Sequence, residues 1–211
     1  MKKHKGFTLV EMLVVIGIIG VLIGATSVGY STFIKKAQNA RGRELVHQVK
    51  VALESVLQKE DAWPRAIVAE GAGGRGEMKP EVGGELARRG VMTLTYRKQE
   101  NAKTGETRYV LSGIDQCGIV TPWAEAIIKK NLASGSVSDS TRVPSGGTIA
   151  DHRLRFAVDD DYDGFTEVGQ SIRGEGGAKV RASACVWCCG YDGKFGTRDD
   201  IYSWTAGQEV R

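Results

Sequence analysis

The stretch "KGFTLVEMLVVIGIIGVLIGA", residues 5–25, decides how the rest of the 211-residue chain is read. It places one carboxylate, Glu11, at the head of a run otherwise apolar enough to enter a bilayer. No charged residue occurs from Met12 to Thr32, and a bilayer core is crossed by roughly 20 helical residues. Leu13, Val14, Val15, Ile16, Ile18, Ile19, Val21, Leu22 and Ile23 are lipid-compatible on every face of such a helix. A carboxylate near the bilayer centre costs about 2.5–3.5 kcal/mol, so Glu11 demands a partner. The run exceeds the roughly 7–15 apolar residues of a secretory signal, and no small-x-small cleavage site closes it. Lys2, Lys3 and Lys5 precede it and Lys35 and Lys36 follow, so flanking charge alone leaves its orientation open.

These residues carry a family likeness. "KGFTLVEMLVVIGIIGVLIG" resembles the processing site and N-terminal helix of type IV pilins and type II secretion pseudopilins. The resemblance implies a leader at residues 1–6 ending in Gly6, cut by a prepilin peptidase, with Phe7 as the N-methylated first mature residue. It implies an inner-membrane, single-pass protein whose head lies in the periplasm. Lipid surrounds the apolar helix before assembly, and the other pseudopilins, an assembly platform and further copies of the chain are the partners. Glu11 then lies beside the ammonium of Phe7 from a neighbouring subunit, so that correct register relieves the cost of a buried carboxylate. Gly20 and Gly24 form a G-x-x-x-G pair that permits close helix approach in lipid. Val28 stands where relatives commonly carry a kinking proline, and Gly24 and Gly29 are the residues left to soften the helix.

Beyond the apolar run the pattern becomes amphipathic over residues 33–60. Leu45, Val49, Ala52 and Val56 repeat at helical spacing with Leu53 and Leu57 beside them, while Arg41, Arg43, Glu44, Lys50, Glu54 and Lys59 fall mostly off the stripe. Trp63-Pro64 ends the helix, since the residue before proline disfavours helical angles. One helix over residues 7–60 is roughly 80 Å long at 1.5 Å per residue. Residues 7–32 form its membrane or filament-core half, and residues 61–211 form the head. Twenty-eight glycines and four prolines indicate a head rich in turns.

In the middle of the chain, Gly71, Gly73 and Gly76 spell G-x-G-x-x-G. Pro80 interrupts the segment after it and no acid stands some twenty residues on, so a loop is expected rather than a dinucleotide site. A short helix is expected at 84–89. "VMTLTYRK" and "TRYVLSGI" alternate like strands, a helix begins at Pro122, and residues 134–147 read as a mobile Ser/Gly-rich loop.

Two acidic clusters lie further along. Asp159, Asp161 and Asp163 before Gly164 reproduce half of an EF-hand loop, but Gln170 stands where the closing glutamate belongs. A hairpin between "LRFAV" and "FTEV" with an Asp-Gly turn is the alternative, and the favoured one. The second cluster, "WCCGYDGKFGTRDDIYSW" at 187–204, resembles the C-terminal calcium loop of the type II secretion major pseudopilin. That resemblance implies Asp192, Asp199 and Asp200 as ligands of a structural calcium, completed by carbonyls or water. Cys188 stands where relatives have serine and Arg198 where many have an acid. A turn-rich loop closed by packing of Trp187 on Trp204 is the alternative.

An exported head permits disulfides. Cys117 joined to Cys185, Cys188 or Cys189 is the preferred pairing, with buried free thiols, a Cys185/Cys188 redox pair and a four-thiol zinc site as alternatives. His4, His47 and His152 have no nucleophile pattern near them, so no enzyme is expected. Three N-terminal lysines supply most of the net +4 charge and no basic stripe with aromatics remains, so nucleic acid is not an expected partner. The expected architecture is α+β: a long N-terminal helix on a small antiparallel sheet with a C-terminal calcium loop. The expected role is a pseudopilus subunit of a type II secretion system. The rival is a type IV pilus subunit for adhesion, motility or DNA uptake with a disulfide-closed C-terminal region.

Overall fold

The computed structural model describes residues 8–68, 74–92, 96–100, 107–111, 117–132, 137–172 and 176–210. The chain divides into two compact units, Met1–Gln38 and Asn39–Arg211. Helix α1 covers Leu9–Glu60 without interruption. It stops where sequence chemistry demands: Asp61 takes a left-handed φ of 52°, and Trp63 precedes a proline. Trp63 is then tied down by two hydrogen bonds, its backbone N–H to the Tyr162 hydroxyl (3.0 Å) and its indole N–H to the Asp159 carbonyl (2.7 Å).

The expected amphipathic stripe enters the core of the second unit with one shift: Val46 takes the buried place expected of Leu45, and Leu45 and Leu57 are only partly buried at its edge. Val46, Val49, Ala52, Leu53 and Val56 are buried with Phe156, Val186 and Ile201. Each fully buried aliphatic side chain contributes about 1.5–3 kcal/mol. The stripe therefore makes this half of α1 part of the head, and the compact division falls at 38/39, inside the helix, rather than at its end.

After the short helix α2 (Arg65–Val68), strand β1 (Arg75–Glu77) holds Gly76, the last glycine of the G-x-G-x-x-G run; Gly71 and Gly73 lie outside the described residues. Helix α3 runs over Pro80–Arg88. Pro80 does not interrupt the chain but opens this helix, because proline at the first helical position loses no hydrogen bond. Strands β2 (Tyr96–Glu100) and β3 (Thr107–Leu111) form a separate antiparallel hairpin. Helix α4 (Pro122–Leu132) starts at Pro122, as its sequence requires.

Of the mobile loop expected at 134–147, residues 134–136 lie outside the described residues, and the segment 137–153 is packed rather than free. Val143, Ile149 and His152 are buried there, and Ile149 N–H donates to the Thr141 carbonyl at 3.0 Å. Strands β4 (Arg155–Val158), β5 (Thr166–Gln170), β6 (Gly176–Val180), β7 (Ala184–Cys188), β8 (Ile201–Tyr202) and β9 (Glu209–Val210) complete the head, with a 3₁₀ turn at Ala206–Gln208. All pairings are antiparallel, in the orders β1-β4-β7-β8 and β5-β6-β9. The architecture is α+β, a helix packed on a small antiparallel sheet. One expectation is corrected: β4 and β5 do not form a hairpin. They belong to different sheets, so residues 159–164 cross between layers rather than tip a ribbon.

The fit of α1 to the head has a tight point. A methyl group added to Gly42 would lie 2.7 Å from Ile201 Cδ1 and 3.7 Å from Trp123 Cη2. Gly42→Val should therefore destabilise the protein by about 1–3 kcal/mol through overpacking. Ile201→Ala in the same background should recover part of that loss. Urea unfolding of both variants in detergent checks it, and unchanged stability of Gly42→Val would refute the contact.

Candidate functional site

Three regions carry the residues singled out in the sequence. At the first, Thr8 and Glu11 form a capping box at the start of α1. Thr8 N–H and its hydroxyl both donate to Glu11 Oε2 at 2.8 Å, and Glu11 N–H donates to Thr8 Oγ1 at 3.2 Å. The reciprocal bonds satisfy donors that an α-helix leaves orphaned at its first turn. Thr8 escaped the sequence reading although T-x-x-E before an apolar run is a recognisable start signal. Leu13, Val14, Ile16, Ile19, Leu22 and Ile23 are exposed, and methyl groups on Gly20 or Gly24 would meet nothing within 4 Å. A solvent-facing apolar surface of this kind marks an interaction site. Gly6 and Phe7 lie outside the described residues. Among the described residues no helix is long and apolar enough to cross a membrane. Side chains of residues 25–29 fall outside that set, so it does not contain the whole span read from Met12 to Thr32.

The second region is the loop between β7 and β8, residues 189–200. Its three aspartates converge on one hydroxyl: Thr197 Oγ1 lies 2.6 Å from Asp199 Oδ1, 3.1 Å from Asp200 Oδ1 and 3.5 Å from Asp192 Oδ1. A hydroxyl has one proton to donate, so at most one of those carboxylates is satisfied by it. Asp200 is the internal staple of the loop. Its Oδ2 accepts from Gly196 N–H (2.7 Å), Thr197 N–H (3.3 Å) and the Tyr202 hydroxyl (3.0 Å), and its Oδ1 from Gly190 N–H (3.2 Å). Burial raises the Asp200 carboxyl above the ordinary aspartate value, while those donors pull it back. Asp192 Oδ1 accepts from Lys194 N–H at 2.9 Å, and Asp199 Oδ2 from Asp192 N–H at 3.3 Å. The loop is closed at its base by Trp187 and Trp204, edge to face with centroids 5.7 Å apart. At its tip the Arg155 guanidinium sits 3.8 Å over the Phe195 ring.

The third region is the acidic crossing at 159–164. Asp159, Asp161 and Asp163 place one carboxylate oxygen each within 4.8 Å of one another, with Asp159 buried and the other two exposed. The same carboxylates serve the turn. Asp159 accepts from Asp163 N–H (3.1 Å) and Gly164 N–H (2.9 Å), and Asp163 from Phe165 N–H (2.7 Å). Gln170, the position of an EF-hand's last ligand, stands in strand β5.

The cysteines need correction. All four are buried free thiols, so the expected Cys117 disulfide is not formed. The C-x-x-C does not make a redox pair either. On a strand an odd spacing puts side chains on opposite faces: Cys188 packs with Cys117 in one cluster and Cys185 with Trp187 in the other. The same alternation disperses the thiols a zinc site would need. Burial pushes the Cys185 thiol up to about 12 and Cys188 well above its ordinary value.

His152, which the sequence reading set aside, is a buried polar residue with several partners. Its ring is fully buried, with Nε2 2.8 Å from the Gly146 carbonyl and Nδ1 2.9 Å from Thr121 Oγ1 and 3.4 Å from Cys189 Sγ. A carbonyl only accepts, so Nε2 carries the proton and Nδ1 accepts. Burial lowers the tendency of this imidazole to take a second proton.

The prokaryotic N-terminal methylation motif matches residues 1–27. A type IV major fimbrial protein, FimA, of Dichelobacter nodosus is 38% identical over 72 residues, 34% of this chain and 45% of that protein. The chain thus spans less than half the length of the fimbrial relative. The type IV major pilin protein PilE of Neisseria gonorrhoeae is 28% identical over 163 residues, 76% of this chain and 96% of the pilin. No solved structure matches.

A carboxyl raised by burial binds its proton more tightly in the folded state, so it favours folding below its raised value and opposes it above. With chelator present, stability due to Asp200 should therefore fall as pH rises from 3.8, the ordinary aspartate value, through the higher folded one. Asp200→Asn should flatten that slope. Denaturant unfolding at stepped pH checks the sign, and identical slopes in both proteins would refute it.

Proposed function

We propose that this chain, which belongs to the type IV pilin and pseudopilin superfamily, is the major-type subunit of a periplasmic type II secretion pseudopilus. In broader terms it is an N-methylated, pilin-like filament subunit and not an enzyme. As a pseudopilin, its precursor is held in the inner membrane by residues 7–32 with its head in the periplasm. Prepilin peptidase cuts after Gly6, Phe7 is methylated, and copies polymerise through α1 with Glu11 facing the neighbouring Phe7 ammonium. Gly20 and Gly24 lie on the helix surfaces that approach. Other pseudopilins and the membrane assembly platform are the expected partners.

The observation that carries this reading is the chemistry of the C-terminal loop, which is drawn together by carboxylates around Thr197 rather than by a disulfide. An all-oxygen donor set with excess negative charge suits calcium, which takes six to eight oxygens. Asp192, Asp199 and Asp200 would hold it, and the ion would supply charge neutralisation and a crosslink, a structural role. The crossing at Asp159, Asp161 and Asp163 is a second candidate site. One observation favours a second reading: the long alignment with the gonococcal pilin supports a type IV pilus subunit.

Thermal unfolding of the full chain in detergent, titrated with calcium and compared with chelator, tests the choice. A ligand that binds only the native state raises stability as the logarithm of its free concentration over the dissociation constant, about 2.7 kcal/mol at a hundredfold excess. The pseudopilin reading expects that rise, abolished by Asp200→Ala. Identical melting with calcium and chelator would leave the pilus subunit as the reading to hold. Separately, Glu11→Ala should keep the protein in the membrane fraction while filament incorporation, measured by shearing and sedimentation, is lost. Normal incorporation would remove Glu11 from the assembly mechanism.

A further inference from the structure

The segment at 141–153 and the loop at 190–197 meet backbone to backbone at glycines. Gly146 has φ 144° and Gly193 φ 69°, conformations that L side chains rarely adopt. A methyl on Gly146 would overlap the Asp192 carbonyl. One on Gly193 would lie 2.5 Å from the Gly146 carbonyl oxygen and 3.0 Å from His152 Nε2. The imidazole of His152 therefore stands directly behind the Asp192–Gly193 turn, with its N–H holding the Gly146 carbonyl at 2.8 Å.

The imidazole is itself fixed from the other side. Thr121 contacts His152 twice, its hydroxyl 2.9 Å from Nδ1 and its N–H donating to the His152 carbonyl at 2.9 Å. Thr121 immediately precedes α4, whose Trp123 ring packs 6.4 Å from the imidazole and 6.4 Å from Tyr191 of the loop. The contacts form a chain: the start of α4 holds His152, His152 holds Gly146, and Gly146 lies against Asp192–Gly193. The 190–200 loop has pins of its own at the base and tip, Trp187–Trp204 and Arg155–Phe195. Inside the loop the Asp192–Gly193 turn is held by Asp192 N–H to Asp199 Oδ2 (3.3 Å), Lys194 N–H to Asp192 Oδ1 (2.9 Å) and Gly193 N–H to the Gly190 carbonyl (3.4 Å), and Gly146 with His152 holds it from outside the loop.

We propose that His152 is a positioning residue for the acidic loop: through Gly146 it sets where Asp192 stands relative to Asp199 and Asp200. Its consequence for calcium rests on the metal reading above, whereas its consequence for loop order does not. A group that orients ligands from behind is worth about 10–100-fold in metal affinity when removed.

The test uses the full chain in detergent and two readouts: hydrogen exchange of residues 190–200 in chelator, and the calcium dissociation constant fitted to the rise in melting temperature with the logarithm of free calcium. His152→Leu keeps apolar volume but loses the donor, and His152→Gln restores an N–H at reach. Gly146→Ala acts one step further along, since its methyl would displace the Asp192 carbonyl directly without touching the imidazole. His152→Leu and Gly146→Ala should speed exchange of the loop amides about tenfold or more while β4 and β7 amides keep wild-type rates, and His152→Gln should stay near wild type. The fitted calcium dissociation constant should rise about tenfold in His152→Leu. Unchanged loop exchange in His152→Leu would overturn the proposal, whatever Gly146→Ala does. So would equal acceleration in β4 and β7, which would make His152 an ordinary core residue. If the wild type shows no calcium response, the metal reading fails alone, and the exchange comparison still decides the role of His152.

Discussion

Everything in the head depends on β7 being buried on both faces. Its five residues are all inaccessible, and they alternate between two cores. Ala184, Val186 and Cys188 pack toward α1 and Phe156, while Cys185 and Trp187 pack toward Trp204, Val168 and Val180. An antiparallel strand commonly keeps one face in water. Here the second sheet, β5-β6-β9, covers the face that would otherwise be wet. The registers of β7 with β4 and β8, Trp187 opposite Arg155 on one side and Tyr202 on the other, then fix where the acidic loop leaves and returns. A slip of one residue would exchange the two cores wholesale.

Features set by local chemistry were readable, and features set by burial elsewhere were not. The amphipathic stripe of α1, the proline start of α4 and the alternation of "LRFAV" all act within one element, and each appears as expected. The pairing of β4 and β5 is different. An Asp-Gly turn between two short alternating runs reads as a hairpin, yet which strand lies beside which depends on β7 occupying the place β5 would need. The opposite faces of Cys185 and Cys188 were available from period-2 arithmetic once that segment was read as a strand. A motif that recurs along the chain was also legible. Thr8-x-x-Glu11, Thr148-x-x-Asp151, Thr197-x-x-Asp200 and Thr205-x-x-Gln208 each bend the later side chain back to the threonine N–H, at 2.8, 2.8, 3.3 and 2.9 Å. In each the side-chain oxygen does what the next turn of backbone would otherwise have to do.

The two acidic loops illustrate why composition alone ranks cation sites poorly. Residues 159–163 bring their oxygens closer together, but backbone N–H groups of the same turn already occupy Asp159 and Asp163, and Tyr162 fastens the crossing to the end of α1. That turn is explained by the contacts it holds. In the 190–200 loop Asp200 accepts three backbone N–H bonds, whereas Asp192 and Asp199 accept one each, and all three carboxylates face one hydroxyl with a single proton. Repulsion between carboxylates is stronger in a partly buried loop than in water. A cation near Thr197 would therefore relieve more repulsion there than at the exposed crossing, although the oxygens are less tightly gathered.

The capping box changes the role that Glu11 can play. Read from sequence, the carboxylate is a group without a partner inside its own chain, and only a neighbour can relieve it. In the structure it already accepts two hydrogen bonds from Thr8 and sits at the positive end of the α1 dipole. The penalty for carrying it in an isolated subunit is smaller than for a bare carboxylate, and the helix start is defined before any assembly. A neighbouring ammonium must then add to this arrangement rather than rescue a stranded charge. One carboxylate has lone pairs for both: Oε2 serves Thr8, and Oε1 is free of that box. An opposite charge about 4 Å away gives about 4 kcal/mol in an effective dielectric near 20, several times a single neutral hydrogen bond. The proposed assembly contact can thus dominate without dismantling the cap, so that in the proposed filament the residue that starts the helix would also set its register against the next.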